Sequence, residues 1–147
     1  MVKIRTEEEI NAAKKKKAFR YKTIFAQQAE FMKACGQTVD KYNPKQALLY
    51  LDLIHEEFNE LTLDAESDAE IADAIIDTIV VLVGYGLSHG WPMNKLWREV
   101  MDSNMAKIDP TTGKVKKRRD GKVLKPKGWQ PPNINDILMR HSARKKV

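Results

Sequence analysis

The sequence predicts an all-α fold, a bundle of about four main helices followed by a C-terminal loop or short β-hairpin. Apolar residues recur at spacings of three and four through most of the chain, which is the period of a helix with one buried face. Helix start and stop signals separate these segments, and turn residues become frequent only after Asp109. We expect oligomerisation to complete the bundle.

The first predicted helix runs from about Thr6 to Ala34, with a charged first half, and Gly36 stops it. Its candidate core residues lie in its second half: Ala18, Ile24, Phe25, Phe31 and Met32. The second helix begins at Asn43-Pro44, since proline is favoured at the first helical position, and runs to about Leu63. Its apolar stripe consists of Ala47, Leu48, Leu51, Ile54, Phe58 and Leu61.

The third helix, from about Asp68 to Ser88, is apolar over much of its circumference, which predicts a place at the centre of the bundle. The fourth runs from about Pro92 to Met105, with apolar residues on one side: Leu96, Trp97, Val100 and Met101. Turn residues then enclose short β-capable segments, which predicts a hairpin or ordered loop, and Asn133 to Met139 adds a final helical turn. Gly84-x-Gly86 is interpreted as permitting close helix packing.

A chain of 147 residues predicts a single domain over 1–147, with a basic N-terminal extension and a basic C-terminal tail. Acidic residues stand where a signal peptide needs its apolar segment, and charges interrupt the most apolar stretch, Ile71 to Leu87. The lone cysteine, Cys35, cannot form an internal disulfide and is interpreted as a small buried side chain. These features favour a cytoplasmic protein that does not enter a membrane.

The formal net charge of +6 is unevenly distributed, with basic residues concentrated at the two ends of the chain. The middle is acidic, because residues 52–77 contain many carboxylates and neither lysine nor arginine. This acidic centre argues against nucleic acid as the main partner.

Carboxylates in this segment repeat at helical spacing. Glu57 and Glu60 share one face of the second helix, with Glu56 one turn from Glu60, and Glu70, Asp73 and Asp77 share one face of the third. Like charges at these spacings destabilise a helix by roughly 0.2–0.5 kcal/mol per pair, so solvent or a cation must neutralise them. If the two helices pack antiparallel, the oxygens can face each other and suit Mg²⁺, with Mn²⁺ as a possible substitute.

Two other interpretations of these carboxylates compete with a magnesium site. A solvated acidic face explains any single pair, but two matched pairs on adjacent helices, one of them strongly apolar, favour a metal site. A ferritin-like di-iron site needs Glu-x-x-His pairs, and neither His55 nor His89 has that spacing.

Several segments resemble the MazG-like all-α nucleoside triphosphate pyrophosphohydrolases, in the phage-type branch related to phosphoribosyl-ATP pyrophosphohydrolases. The signature Glu-Glu-x-x-Glu followed by Glu-x-x-Asp is matched by Glu56 to Glu60 and Glu70 to Asp73. The resemblance continues through Tyr85-Gly86, Ser103 to Lys107 and Asp120 to Pro126, and covers roughly residues 27 to 132.

The resemblance implies a magnesium-dependent enzyme that hydrolyses a nucleoside triphosphate to the monophosphate and pyrophosphate, acting as a homodimer or homotetramer. It implies metal ligation by Glu57, Glu60, Glu70 and Asp73, with Asp77 extending the cluster. Glu56 or Glu57 would orient or deprotonate the attacking water. Asn104 and Lys107 would meet the nucleotide, and Lys122 and Lys125 its phosphates.

Two other functions remain open from the sequence. Lysine and arginine runs at 14–17, 114–119 and 140–146 would suit a nucleic-acid-binding module, whose binding would weaken steeply with salt. A regulatory or structural homologue would have the same helical bundle but no enzymatic activity. Trp91, Trp97 and Trp129 are interpreted as structural rather than base-stacking residues.

Overall fold

A computed structural model describes residues 6–145 of the chain. Over that range it contains six α-helices and no regular β-strand, which confirms the all-α fold. The helices are α1 (Glu7–Arg20), α2 (Ile24–Ala34), α3 (Pro44–Asn59), α4 (Asp68–Ser88), α5 (Met93–Met105) and α6 (Ile134–Arg144), and a π-helical turn, Glu60–Asp64, follows α3 directly. The chain forms two compact units that divide between Trp91 and Pro92. The single-domain interpretation stays a prediction.

Side-chain caps explain where α3 and α4 begin. The Asn43 side chain accepts a hydrogen bond from the Gln46 backbone N–H, and Pro44 occupies the first turn, as predicted. At α4, Ser67 and Glu70 form a reciprocal capping box, each side chain accepting from the other residue's backbone N–H. The predicted bounds of α4 are confirmed.

The prediction of one continuous helix from Thr6 to Ala34 is wrong, because the chain leaves the helix after Arg20 and a new one starts at Ile24. Thr23 takes an extended conformation, and its side chain accepts from the Ala26 N–H to cap α2. Threonine competes in this way with the helical backbone. None of the residues of α1 is buried, so α1 contributes no buried side chain to a core that could keep it continuous with α2.

The core of the first unit lies where α2, α3 and α4 pack together. Its buried apolar side chains are Phe25, Met32, Ala47, Tyr50, Ala74, Val81, Val83 and Leu87. The prediction that Phe31 and Leu48 are core residues is wrong, since these residues are 61% and 63% exposed. Ala18, Ile24 and Phe58 are exposed as well. The structure therefore buries a narrower set than the apolar pattern predicts.

Buried polar contacts fix the direction of α3 against α4. Gln46, near the start of α3, donates from Nε2 to Ser88 Oγ (2.8 Å) at the end of α4. Gln46 Nε2 also donates to the Thr38 carbonyl (2.7 Å), and Gln46 Oε1 accepts from the Thr38 N–H (3.0 Å). The two helices are therefore antiparallel, which brings the end of α3 beside the first turns of α4.

By length and composition alone α4 could cross a membrane, but this is weak evidence, because the core helix of a soluble protein meets the same criteria. Packing against α2 and α3 accounts for part of its apolar surface. The exposed part follows the helical period: Ile71, Ile75, Ile79 and Leu82, with Ile76 beside them. We call these five residues the apolar stripe of α4.

In the second unit, α5 is followed by a loop of turns and then by α6. Two isolated antiparallel bridges, Ile108 with Val115 and Lys117 with Val123, stand where a short hairpin is predicted. The final helical turn is longer than predicted, because α6 continues to Arg144. Asn133 caps it, and the Asn133 N–H donates to Glu99 Oε1 of α5 (2.8 Å).

Candidate active site and lysine cleft

Glu57, near the end of α3, is the centre of the acidic cluster. Partial burial, followed by the charges of Asp77, Glu60, Glu56 and Asp73, raises the pKa of this carboxyl above its ordinary value. Two of these neighbours belong to α3 or the turn after it, and two belong to α4. The antiparallel helices therefore bring together five of the six carboxylates predicted from sequence.

Glu60 occupies a special backbone position. It opens the π-helical turn, in which the Ala65 N–H donates to the Glu60 carbonyl (2.9 Å). A π turn is rare and often marks a functional position, because it inserts an extra residue into a helical turn. The prediction of a regular α-helix as far as Leu63 is therefore wrong, because the α-helix ends at Asn59 and the π-helical turn follows.

Glu70 has a different environment from the other five carboxylates. Its Oε2 accepts from the Glu66 and Ser67 backbone N–H groups, both at 2.9 Å. These bonds, with one from the Ser67 side chain, lower the Glu70 carboxyl pKa. Both backbone bonds end on Oε2, so ligation through Oε1 is compatible with the cap. Glu70 and Asp73 also line a shallow surface depression on α4.

The donor set fits a hard divalent cation, since it offers carboxylate oxygens and the repulsion around Glu57 favours added positive charge. Across residues 6–145, however, no three Asp, Glu, His or Cys side chains are grouped closely enough to hold one ion. The cluster is therefore defined by the effect of neighbouring charges on the Glu57 pKa, and not by side chains already arranged around an ion. Ligation by these residues stays a prediction.

The second unit contains a basic cleft with a volume of about 620 Å³. Four lysines line it: Lys107, Lys116, Lys125 and Lys127. Asp109 is also in the wall, where its carboxylate accepts from the backbone N–H groups of Thr111 (2.9 Å) and Thr112 (3.3 Å). These bonds lower the pKa of the Asp109 carboxyl and stabilise the turn that Asp109 forms with Thr111 and Thr112 in the cleft wall. The lining suits a ligand with several negative charges.

Two residues assigned to the substrate from sequence, Lys107 and Lys125, lie in this lysine cleft. Asn104 supports one of them, because Lys107 Nζ donates to Asn104 Oδ1 (2.8 Å). Lys122 does not line the cleft. Its backbone N–H donates to Asp120 Oδ1 (3.1 Å), in a turn that also holds Arg118.

Trp129 is the residue that sequence reasoning undervalued. Its ring lies 4.5 Å from Lys125 Nζ and 5.0 Å from Lys107 Nζ, measured to the ring centroid. Its indole N–H donates to the Ser103 carbonyl (2.7 Å). The available signal in sequence was the position of Trp129 just after Lys125 and Lys127. Cys35, interpreted as buried, is exposed at the end of α2.

Comparison with protein families gives one match. The model of the phosphoribosyl-ATP pyrophosphohydrolase family covers residues 28–104, slightly more than half of the 147 residues. The match contains every predicted carboxylate and ends at Asn104, before the residues that line the lysine cleft. A comparison with individual curated proteins gave no match. The chain belongs to the phosphoribosyl-ATP pyrophosphohydrolase family, a MazG-like group of all-α nucleotide pyrophosphohydrolase domains.

Proposed function

We propose that this chain is a magnesium-dependent enzyme that hydrolyses a ribo- or deoxyribonucleoside triphosphate between its α and β phosphates. The products are a nucleoside monophosphate and pyrophosphate. The observation that carries the proposal is the antiparallel packing of α3 against α4, which brings carboxylates from both helices around Glu57. The family match supports pyrophosphohydrolysis in general.

Metal ligation is assigned to Glu57, Glu60, Asp73 and Asp77, with Glu70 contributing through Oε1. A bound Mg²⁺, or Mn²⁺ in its place, supplies Lewis-acid chemistry and offsets phosphate charge. The protein's own contribution is to hold carboxylate oxygens close together on α3, α4 and the π-helical turn. Their mutual repulsion in the absence of a cation favours binding of one.

Deprotonation of the attacking water is assigned to Glu56 or Glu57. A carboxylate with a raised pKa is a better proton acceptor at neutral pH than one with an ordinary pKa. Burial and neighbouring charges give Glu57 this property. The structure-based argument therefore favours Glu57, with Glu56 contributing negative charge beside it.

Recognition of the polyphosphate group is assigned to the lysine cleft. Lys107 and Lys125 provide ammonium groups there, and Asn104 orients Lys107. Lysine acts on phosphates as a compact positive charge, so it suits a group whose charge is spread over several oxygens.

A homodimer or homotetramer is part of the proposal. The apolar stripe of α4 is exposed in a single chain, and soluble proteins rarely leave a contiguous apolar surface uncovered. A second copy of the chain is the proposed occupant. Light scattering should give a dimer or tetramer mass for the wild type, and Ile79→Glu should lower it to the monomer mass. A monomeric wild type would contradict this part.

The activity test uses purified protein, Mg²⁺, and a panel of canonical and modified ribo- and deoxyribonucleoside triphosphates, with phosphoribosyl-ATP included. Chromatography should show a monophosphate product and pyrophosphate in equal amounts. A clear preference for phosphoribosyl-ATP would keep the bond assignment and change the substrate. Diphosphate with orthophosphate would refute the assigned bond, and no turnover with salt-sensitive DNA binding would favour the nucleic-acid alternative.

Matched variants separate the carboxylate cluster from the general acidity of the segment. Glu57→Gln should reduce turnover by at least about a hundredfold, the lower end expected for a positioned acid–base group. Asp73→Asn should also reduce turnover, because it removes a proposed metal ligand. Glu66→Gln removes the same charge from the connector and should leave turnover unchanged, because Glu66 does not contribute to the raised Glu57 pKa. Circular dichroism should show equal helix content in all three variants.

A further inference from the structure

Trp129 contacts both lysines that the proposed function assigns to the polyphosphate. The ammonium groups of Lys107 and Lys125 lie 5.0 Å and 4.5 Å from the centroid of its ring. Distances below about 6 Å are typical of cation–π attraction, in which the negative face of the ring attracts a cation.

The position of the indole is itself fixed. Its Nε1–H donates to the Ser103 carbonyl (2.7 Å), near the end of α5. The Ser103 hydroxyl donates in return to the Gln130 carbonyl (3.1 Å), next to Trp129 in the chain. This pair of bonds ties the Trp129 segment to the helix at two points, so the ring forms a defined surface for the lysines.

Two ammonium groups that share a cleft repel each other, and each lysine side chain has many rotamers to lose on binding. The face of an aromatic ring offsets part of the repulsion and restricts both side chains before a ligand arrives. Restricting groups in their bound positions strengthens binding, because less entropy is lost in the binding step.

We propose that Trp129 is a positioning residue that holds the ammonium groups of Lys107 and Lys125 together for binding a pyrophosphate or longer polyphosphate group. The ligand class rests on the proposed function, while the contacts among the three side chains do not. A purely structural Trp129 would support the whole cleft wall and would not discriminate between the lysines it contacts and the others.

Lys116 provides the matched comparison, because it lines the same cleft and has no cation–π contact with Trp129. The experiment consists of three double-mutant cycles, which pair Trp129 with Lys107, Lys125 and Lys116. Pyrophosphate is the probe and isothermal titration calorimetry is the measurement. The buffer contains no divalent cation, so the carboxylate cluster has no metal through which to contribute. Full-length protein is used throughout.

Trp129→Leu should weaken pyrophosphate binding by about two- to fivefold, equivalent to roughly 0.5–1 kcal/mol. Trp129→Phe should have an intermediate effect, since it keeps an aromatic face and loses the indole hydrogen bond. Combined with Lys107→Gln or Lys125→Gln, Trp129→Leu should cause a smaller further loss than it causes alone, whereas its effect should add in full to that of Lys116→Gln.

Fluorescence gives a second readout that does not depend on the leucine variant being folded. Pyrophosphate should change the tryptophan emission of the wild type, because the charges above the indole move toward the ligand. The change should be absent from Trp129→Phe, which retains Trp91 and Trp97.

Equal coupling of Trp129 to Lys116 and Lys125, or full additivity with both Lys107 and Lys125, would overturn the proposal. So would wild-type protein that binds no pyrophosphate. These outcomes are distinct from failure of the proposed function: a chain without nucleotide hydrolysis could still show the selective coupling, and an active enzyme could lack it.

Discussion

The backbone of Gly84 lies directly against the ring of Tyr50. A Cβ atom built on Gly84 would overlap the ring carbons of Tyr50, so only glycine permits this approach of α4 to α3. Tyr50 is 4% exposed, and its hydroxyl donates to Gln37 Oε1 (2.9 Å), which fixes the ring in place. The interpretation of Gly84 as a packing residue is confirmed.

Gly84→Ala should destabilise the protein by about 1–3 kcal/mol, the range for adding a methyl group to a packed core. In a helix interior without such a contact, the same change would stabilise by about 0.5–1 kcal/mol, because alanine loses less backbone entropy. A loss of stability therefore indicates the contact between Gly84 and Tyr50, and a gain indicates its absence. The free energy of unfolding is measured by urea unfolding followed by circular dichroism.

The control for Gly84→Ala is a second change at its partner. Tyr50→Leu removes the ring and should recover part of the loss, so the double variant should be more stable than the sum of the single effects predicts. Tyr50→Phe keeps the ring and should recover nothing. A stabilising Gly84→Ala would contradict the helix contact described above.

Gln46→Leu should cost about 1–3 kcal/mol, because it leaves polar partners without their hydrogen bonds. Gln46 is 7% exposed and bonds to Thr38 and to Ser88, which is fully buried. Gln27→Leu is the comparison, since Gln27 Nε2 also donates to two carbonyls, those of Phe19 and Lys22, but at an exposed site. Gln27→Leu should lower the free energy of unfolding by clearly less than Gln46→Leu does. Equal losses for the two variants in urea unfolding would contradict the role given to burial.

Without divalent cations, Glu57→Gln should raise the melting temperature near pH 7 by about 1–3 °C, because it removes the cost of partly burying a charged carboxylate and the repulsion from its neighbours. A carboxyl pKa raised in the folded state means that folding favours the protonated form. The contribution of Glu57 to stability is therefore present below its unfolded pKa, about 4.3, and is lost as pH rises through the folded value.

The pH profile supplies the control for Glu57→Gln. The variant and the wild type should melt together below about pH 4, where both carry no charge at this position. Their difference should grow as the pH rises and reach a plateau near neutrality. Glu66→Gln should give no comparable gain. A Glu57→Gln variant that is less stable than the wild type at pH 7 would show that the carboxylate is already neutralised by contacts within the protein.

Helical spacing in sequence predicted that carboxylates of α3 and α4 would lie together, and five of the six do, whereas Glu70 accepts the capping hydrogen bonds at the start of α4. Glu57, Asp73 and Asp77 lie on faces that depend only on the helical period and on antiparallel packing, which the short connector before α4 favours. The break at Thr23 and the π turn at Glu60 could not be predicted in the same way. Each depends on competition between local hydrogen bonds of nearly equal energy.

Burial was the least predictable property. Phe31 and Leu48 fit an apolar pattern, yet both are exposed in the single chain, because periodicity identifies an apolar face without specifying what covers it. The Trp129 contacts were unpredictable for a different reason. They join Lys107 and Lys125 through a loop whose path depends on turns at Asp109 and Asp120.

Lys125 and Lys122 allow a direct test of the lysine cleft, because sequence assigned both to phosphate binding and the structure places only Lys125 in the cleft wall. Lys125→Gln should raise the dissociation constant for pyrophosphate by about three- to tenfold, equal to roughly 0.7–1.4 kcal/mol. Lys122→Gln should change it by less than about twofold, the effect of a more distant exposed charge. Calorimetric titration of both variants gives the comparison.

Salt distinguishes the charge of Lys125 from its packing. At about 1 M salt the screening length falls to roughly 3 Å, so the difference between the wild type and Lys125→Gln should shrink if it arises from charge. Lys125→Arg should retain most of the affinity at low salt. Equal losses for Lys122→Gln and Lys125→Gln would instead move phosphate recognition from the cleft to the turn around Asp120, where the Lys122 backbone N–H donates to the Asp120 carboxylate.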